Sequence, residues 1–283
     1  MAMRMKDKIA VVTGGASGIG KRAVERIVEE GGRVVIADIQ DDRGLRMQED
    51  MGDAVRYIHC DVTAEDDIKA AIAKAVSTWG RLDLMFNNAG TGGDPAPVDE
   101  ITVEGWDATQ NLLVRAVVLG IKHAAHVMKP QGSGVIINTA SVAGLLPGST
   151  PIAYAAAKAS VTYITKCAAL ELAPFSVRVN CICPGLIATP IIAKSMGLAS
   201  QVADQTIDAV EKAGALFQPI PRGGRADDIA NAVIFFGEDA ASWVTGVVLP
   251  IDGGIASGRD PREIGQNWAK IAEAVGGEWS VQP

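Results

Sequence analysis

The feature that most constrains this chain is a set of short, β-rich, mainly apolar runs that alternate with longer segments of helical period. Runs at 9–13, 34–38, 55–59, 82–87, 135–139, 177–182 and 247–250 are predicted as seven strands, with helical patterns at 19–30, 66–79, 106–128, 155–172 and 227–236 among them. Ile9-Ala10-Val11-Val12 shows no polar alternation, so both faces of its strand must be covered. Strand–helix alternation of this kind predicts an α/β fold, a parallel sheet wound with helices on both faces. At 283 residues the chain is long for one domain, yet single α/β domains reach about 250 residues, and one domain over 1–283 is expected. Residues 186–219 leave a strand's C-terminal end for an excursion expected to form a substrate lid, with a plain surface insertion as the alternative. Residues 255–283 form a polar and aromatic tail with Trp268 and Trp279, which either packs on a neighbouring subunit or frays.

Composition excludes several classes. Apolar residues at 48% and charged residues at 21% are enough to fill a core and do not describe a disordered chain. With 26 Lys plus Arg against 33 Asp plus Glu, the net charge is −7 and no basic run occurs, which argues against nucleic acid or an anionic membrane as partner. A small molecule is the expected partner. Cys60, Cys167, Cys181 and Cys183 have no CxxC spacing and are expected to be buried, reduced thiols, with no metal site. Only four apolar residues follow Arg4, Lys6 and Lys8, too few for a signal peptide, so a cytoplasmic protein is expected. The uncharged stretch 131–157 is interrupted by Gly132, Gly134, Gly144, Pro147, Gly148 and Pro151, which a membrane-spanning helix tolerates badly.

Directly after the first strand comes Thr13-Gly14-Gly15-Ala16-Ser17-Gly18-Ile19-Gly20, opening a helix. Such a turn lets backbone approach a pyrophosphate, and the helix N-terminus offers N–H donors and positive dipole charge. Asp38 ends the second strand, eighteen residues beyond Gly20, where an acid can accept from ribose hydroxyls and repel a 2′-phosphate. NAD is therefore favoured over NADP, although Asp38 as a turn cap is the competing reading. Asp61, after the third strand, could meet an adenine amino group or cap the next helix. Asn87-Asn88-Ala89-Gly90 ends the fourth strand with small and amide residues, as backbone passing beside a cofactor requires.

Tyr154 and Lys158 are spaced i, i+4 and so share one helix face. An ammonium near a phenol favours phenolate and lowers its pKa, making the tyrosine a usable base for an alcohol. Ser141, thirteen residues before Tyr154, lies just past the fifth strand, where open α/β sheets bind ligands. A hydrolase reading fails, since Thr139-Ala140-Ser141-Val142-Ala143 is no Gly-x-Ser-x-Gly elbow and no histidine pairs with it.

Thr13-Gly14-x-x-x-Gly18-x-Gly20, Asp61, Asn87-Asn88-Ala89-Gly90, Ser141, Tyr154-x-x-x-Lys158, Pro184-Gly185 and Asp252-Gly253-Gly254 follow in order over nearly the whole chain. In this the sequence resembles the short-chain dehydrogenase/reductase family. The resemblance implies a single Rossmann-type sheet in the order 3-2-1-4-5-6-7 and usually a homo-oligomer, tetramer or dimer. It implies Tyr154 as acid/base, Lys158 as ribose anchor and pKa modifier, and Ser141 as substrate orienter. It further implies NAD held by Gly14, Ser17, Gly18, Ile19, Gly20, Asp38, Ile39, Asp61, Val62, Asn88, Ala89, Gly90, Tyr154, Lys158, Pro184, Gly185, Ile187 and Thr189. The expected reaction is interconversion of a secondary alcohol and a ketone by hydride transfer. Leu145, Leu146, Leu186, Ile187, Ile191, Ile192 and Met196 suggest an apolar substrate. Two alternatives remain: an NAD-binding sensor without turnover, and an epimerase, which needs a larger C-terminal substrate domain. One departure stands out, because relatives commonly carry, seven residues past the tryptophan, an asparagine that holds a relay water, and here that position is Leu113. In a regular helix Asn111 lies about 200° away and cannot substitute.

Overall fold

The computed structural model describes residues 3–278 apart from 149, 259 and 260. Seven parallel strands form one sheet: β1 (Ile9–Thr13), β2 (Arg33–Asp38), β3 (Val55–His59), β4 (Leu84–Asn87), β5 (Gly134–Thr139), β6 (Val177–Pro184) and β7 (Val248–Ile251). Their order is β3-β2-β1-β4-β5-β6-β7, the order the family resemblance implies. Val11 pairs with Val35 on one side and Met85 on the other.

The two-residue period of a strand explains the two-sided core. Val12, Ile36, Phe86 and Ile137 face one layer, which holds α1 (Gly18–Glu29), α2 (Asp41–Met51) and α10 (Ala226–Gly237). Val11, Val35, Met85 and Ile136 face the other, which holds α3 (Glu65–Trp79), α5 (Ala116–Gln131) and α6 (Ile152–Leu172). Between β4 and α5 lies α4 (Val103–Gln110).

The expected continuous helix over 106–128 is interrupted. Residues Asn111–Arg115 form a wider π turn between α4 and α5, in which the Ala116 N–H donates to the Asn111 carbonyl five residues back. Helix α2 was not foreseen, since Asp41-Asp42-Arg43-Gly44 resembles a polar turn and only Gly44 and Met47 bury. The 186–219 excursion contains α7 (Pro190–Ser195), α8 (Ser200–Asp204) and α9 (Ile207–Gly214), and Ile187 bridges to Gly224. The expected tail carries α11 (Pro261–Ala274), while Trp279 and the last residues lie outside those described. Cys60, Cys181 and Cys183 are buried, but Cys167 is exposed, against expectation. Among the described residues no helix is long and apolar enough to cross a membrane.

A buried polar ladder joins strands to helix. The Asn87 Nδ2 donates to Asn138 Oδ1 (2.8 Å), whose own Nδ2 donates to Thr165 Oγ1 on α6 (2.9 Å). Gly120 of α5 admits the Asn87 side chain, and a Cβ there would lie 1.9 Å from Asn87 Oδ1. Gly120→Ala is therefore expected to overpack this site and cost about 1–3 kcal/mol. Thermal or denaturant unfolding checks it, and an unchanged midpoint contradicts the packing argument.

Candidate active site

At the C-terminal edge of the sheet, the glycine turn is built by backbone contact. Gly14 and Gly18 have φ of +64° and +52°, and a Cβ on Gly20 would lie 2.0 Å from the Gly14 carbonyl oxygen. This places α1 directly against the turn. Ser17 is the N-cap residue of α1 but makes no side-chain cap, and no acid occupies the first turn. The helix end thus presents N–H groups and uncompensated dipole charge, as an anion site requires.

The Asn88 Nδ2 donates to the carbonyls of Thr13 (3.0 Å) and Gly14 (3.4 Å). Its side chain holds the turn. Gly90 lies where a Cβ would be 3.0 Å from Leu113 and 3.9 Å from Lys158 Nζ, so only bare backbone passes there. Asp38 is buried at 4% exposure, and Ala16 N donates to its Oδ2 (2.9 Å). Ile39 beside it is exposed. Asp61 accepts from both N and Oγ1 of Thr63 (2.8 and 2.7 Å), a local turn, and its own N donates to Asp67 Oδ2 (2.9 Å), while the start of α3 at Ala64 has no side-chain cap. Val62 is buried beside Thr13 and Ala89.

Ser141, Tyr154 and Lys158 come together because the turn after β5 packs backbone to backbone on α6. A Cβ on Gly144 would lie 2.6 Å from the Lys158 carbonyl carbon. The Ser141 Oγ accepts from Ala143 N (3.2 Å), and Ser141 is close enough to Tyr154 to influence its phenol. Burial pushes the Tyr154 phenol above its ordinary value, and the Ser141 contact pulls it partly back. The Lys158 Nζ lies 5.6 Å from the Tyr154 ring centroid and donates to the Thr139 carbonyl (2.8 Å). Burial pulls Lys158 down to about 8. For the chain without cofactor, desolvation is the largest influence on the Tyr154 phenol.

Pro184-Gly185 closes the site from β6, and a Cβ on Gly185 would lie 2.8 Å from Asp252 Cα. Asp252 in turn accepts from Gly254 N (2.9 Å) and Ala256 N (2.6 Å). Thr189 packs across Gly18, 3.5 Å from the position of a Cβ there. Between them and the 186–219 excursion lies a cavity of about 490 Å³ lined by Ser17, Gly18, Thr189, Arg43, Asp204 and Ile207. Leu145, Leu146, Ile191 and Met196 are exposed around the site, whereas Ile187 is buried and offers no open surface. Arg43, which lines this cavity, is not signalled by the sequence pattern, because its helix start reads as a turn.

A family model described as enoyl-(acyl carrier protein) reductase matches residues 14–256. Momilactone A synthase of Oryza sativa subsp. japonica is 40% identical over 264 residues, covering 90% of this chain and 92% of that protein. The (+)-borneol dehydrogenase 2 of Salvia officinalis is 38% identical over 262 residues, covering 91% and 92%. The crystal structure of levodione reductase superposes with a TM-score of 0.79 at 33% identity, covering 90% of this chain and 99% of that one. With this fold, these motifs and these relatives, the chain belongs to the short-chain dehydrogenase/reductase family of oxidoreductases.

Proposed function

We propose that this protein interconverts a secondary alcohol and a ketone with NAD, using Tyr154 as acid/base. The observation that carries the reading is the convergence of Ser141, Tyr154 and Lys158 on one side of the glycine turn. The cofactor supplies the hydride acceptor or donor when bound. Gly14, Ser17, Gly18, Ile19 and Gly20 would hold its pyrophosphate, Asp38 and Ile39 its adenosine ribose, Asp61 and Val62 its adenine. Ala89 and Gly90, with Pro184, Gly185 and Thr189, would flank the nicotinamide half, and Lys158 its ribose. Ser141 orients the substrate oxygen. The Tyr154 hydroxyl gives its proton to a carbonyl oxygen in reduction and takes one from the alcohol in oxidation, so no free alkoxide builds up.

Exposed Leu145, Leu146, Ile191 and Met196 favour an apolar substrate. Residues 186–219 would act as its lid. Exposed Tyr163 and Leu170 on α6, and Trp243, fit burial in a homo-oligomer, dimer or tetramer.

NAD is expected to give the higher kcat/KM, because buried Asp38 repels a 2′-phosphate. Kinetics with both cofactors checks this, and Asp38→Ala should narrow the gap. Equal or better turnover with NADP removes the assignment.

Tyr154→Phe is expected to lower kcat by more than a hundredfold while NADH still binds, measured by fluorescence, since the ring keeps its packing and loses its proton. Residual turnover near the wild type would refute the role.

Leu113 is buried at 1% exposure, and it is Leu113, not Asn111, that faces Gly90 beside Lys158 even though the helix is not regular there. An apolar side chain at this point leaves no polar path for a proton beyond Lys158. Leu113→Asn should accordingly raise kcat severalfold with little change in KM, because a relay acts on the proton step and not on ground-state binding. An unchanged or lower kcat counts against the dry relay.

A further inference from the structure

Asp38 is a buried carboxylate that forms no ion pair among the described residues, and N–H groups are its hydrogen-bond donors. Ala16 N reaches Oδ2 at 2.9 Å, while Gln40 reaches Oδ1 twice, from its backbone N at 3.0 Å and from its side-chain Nε2 at 3.1 Å. The same Nε2 also donates to Ser17 Oγ at 3.2 Å. One amide therefore spans from the end of β2 to the glycine turn and occupies one group assigned above to the adenosine ribose, Asp38, and one assigned to the pyrophosphate, Ser17.

A carboxylate offers about four lone-pair sites. Here Oδ1 is filled by the two Gln40 donors and Oδ2 keeps one site free. A vicinal ribose diol brings two donors. One fits the free site on Oδ2, and the second reaches Oδ1 only by displacing Gln40 Nε2. The backbone of Gln40 cannot yield, because its carbonyl accepts from Arg43 N (3.2 Å) and Gly44 N (3.0 Å) at the start of α2. Only the half-buried side chain can turn away, through rotations within its own rotamers.

We propose that Gln40 is a specificity-determining residue whose amide acts as a built-in stand-in for one ribose hydroxyl and competes with the adenosine diol for Asp38. This deepens the NAD reading and rests on it. Displacing the amide trades one hydrogen bond for another, so the free energy of the Gln40 contact is subtracted from cofactor affinity. A nucleotide with a 2′-phosphate has one hydroxyl fewer to place, needs only the free site on Oδ2, and does not have to displace Gln40. Removing the amide should therefore favour NADH over NADPH more strongly than the wild type does.

The test is equilibrium binding of NADH and NADPH, followed by fluorescence, to the wild type, Gln40→Ala and Gln40→Met, the last keeping the length and losing the donor. NADH should bind about threefold to tenfold tighter to both variants, the scale of one net hydrogen bond, with NADPH affinity little changed. The unfolding midpoint without nucleotide should fall slightly, because Asp38 loses a donor, while the upward shift caused by NADH grows. A merely structural role would weaken binding in both variants. Unchanged or weaker NADH binding in Gln40→Met, with the wild type binding NADH, overturns this proposal alone. A wild type that prefers NADPH overturns the NAD reading and this proposal with it.

Discussion

The architecture of the site depends on the seam between β1 and β4. There the sheet order 3-2-1-4 reverses the direction of winding, so the connections leave in opposite senses and a crevice opens at the strand ends. The Thr13 Oγ1 closes the bottom of that crevice, accepting from Asn88 N (2.9 Å) and Ala89 N (3.1 Å) and donating to the Phe86 carbonyl (3.3 Å). Asn88 returns a side-chain donor to the Thr13 carbonyl (3.0 Å). These four bonds set the height of the glycine turn against the loop after β4. Gly14 then packs with the position of its missing Cβ 2.9 Å from Ala89 Cα, a distance no side chain would permit.

The second constraint is energetic. Lys158 is buried, with the Thr139 carbonyl as its hydrogen-bond acceptor and no ion pair to a carboxylate among the described residues. Its pKa falls from 10.5 to about 8, a gap of 2.5, which corresponds to a cost on the order of 3 kcal/mol for keeping the ammonium charged in the fold. The cost is fully present below pH 8, where folded and unfolded chains both hold the proton. It relaxes between about pH 8 and 10.5, where the unfolded chain still binds the proton and the folded chain does not. The rest of the fold must offset this, and the two-sided core does so by burying strand residues such as Val11 and Val12 on opposite faces.

Much of this was legible in the sequence because periodicity and turn chemistry are local. All seven strands were expected from short β-rich runs, of which Ile9-Ala10-Val11-Val12, with no polar alternation, fits a strand covered on both faces. Ser141 and the i, i+4 pair of Tyr154 and Lys158 were also visible, as spacing alone puts the pair on one helix face. What was not legible depends on distant partners. Helix α2 is mostly polar and is held by Met47 under β2 and by the space Gly44 leaves for Tyr57, whose ring would lie 2.0 Å from a Cβ. The π turn at Asn111–Arg115 has no proline or glycine to announce it. The raised Tyr154 pKa follows from desolvation, which a spacing pattern does not contain.

On the proposed assignment, Tyr154 and Lys158 pull the pH dependence of catalysis in opposite directions. Alcohol oxidation needs phenolate, and burial pushes the Tyr154 pKa up, so this form gains population only as pH rises. A positive charge nearby would favour phenolate, and the Lys158 ammonium drains away as pH passes about 8. Raising the pH thus removes the partner while it ionises the base. Ketone reduction has no such conflict, because neutral phenol and charged ammonium coexist below pH 8. On that assignment, the pair of forms that reduction uses is the one populated at neutral pH in the chain without cofactor. Leu113 puts a methyl group, instead of a polar one, against Gly90, on the backbone that Lys158 also approaches. A polar neighbour there would stabilise the ammonium, lift its pKa and widen the window in which both forms needed for oxidation overlap.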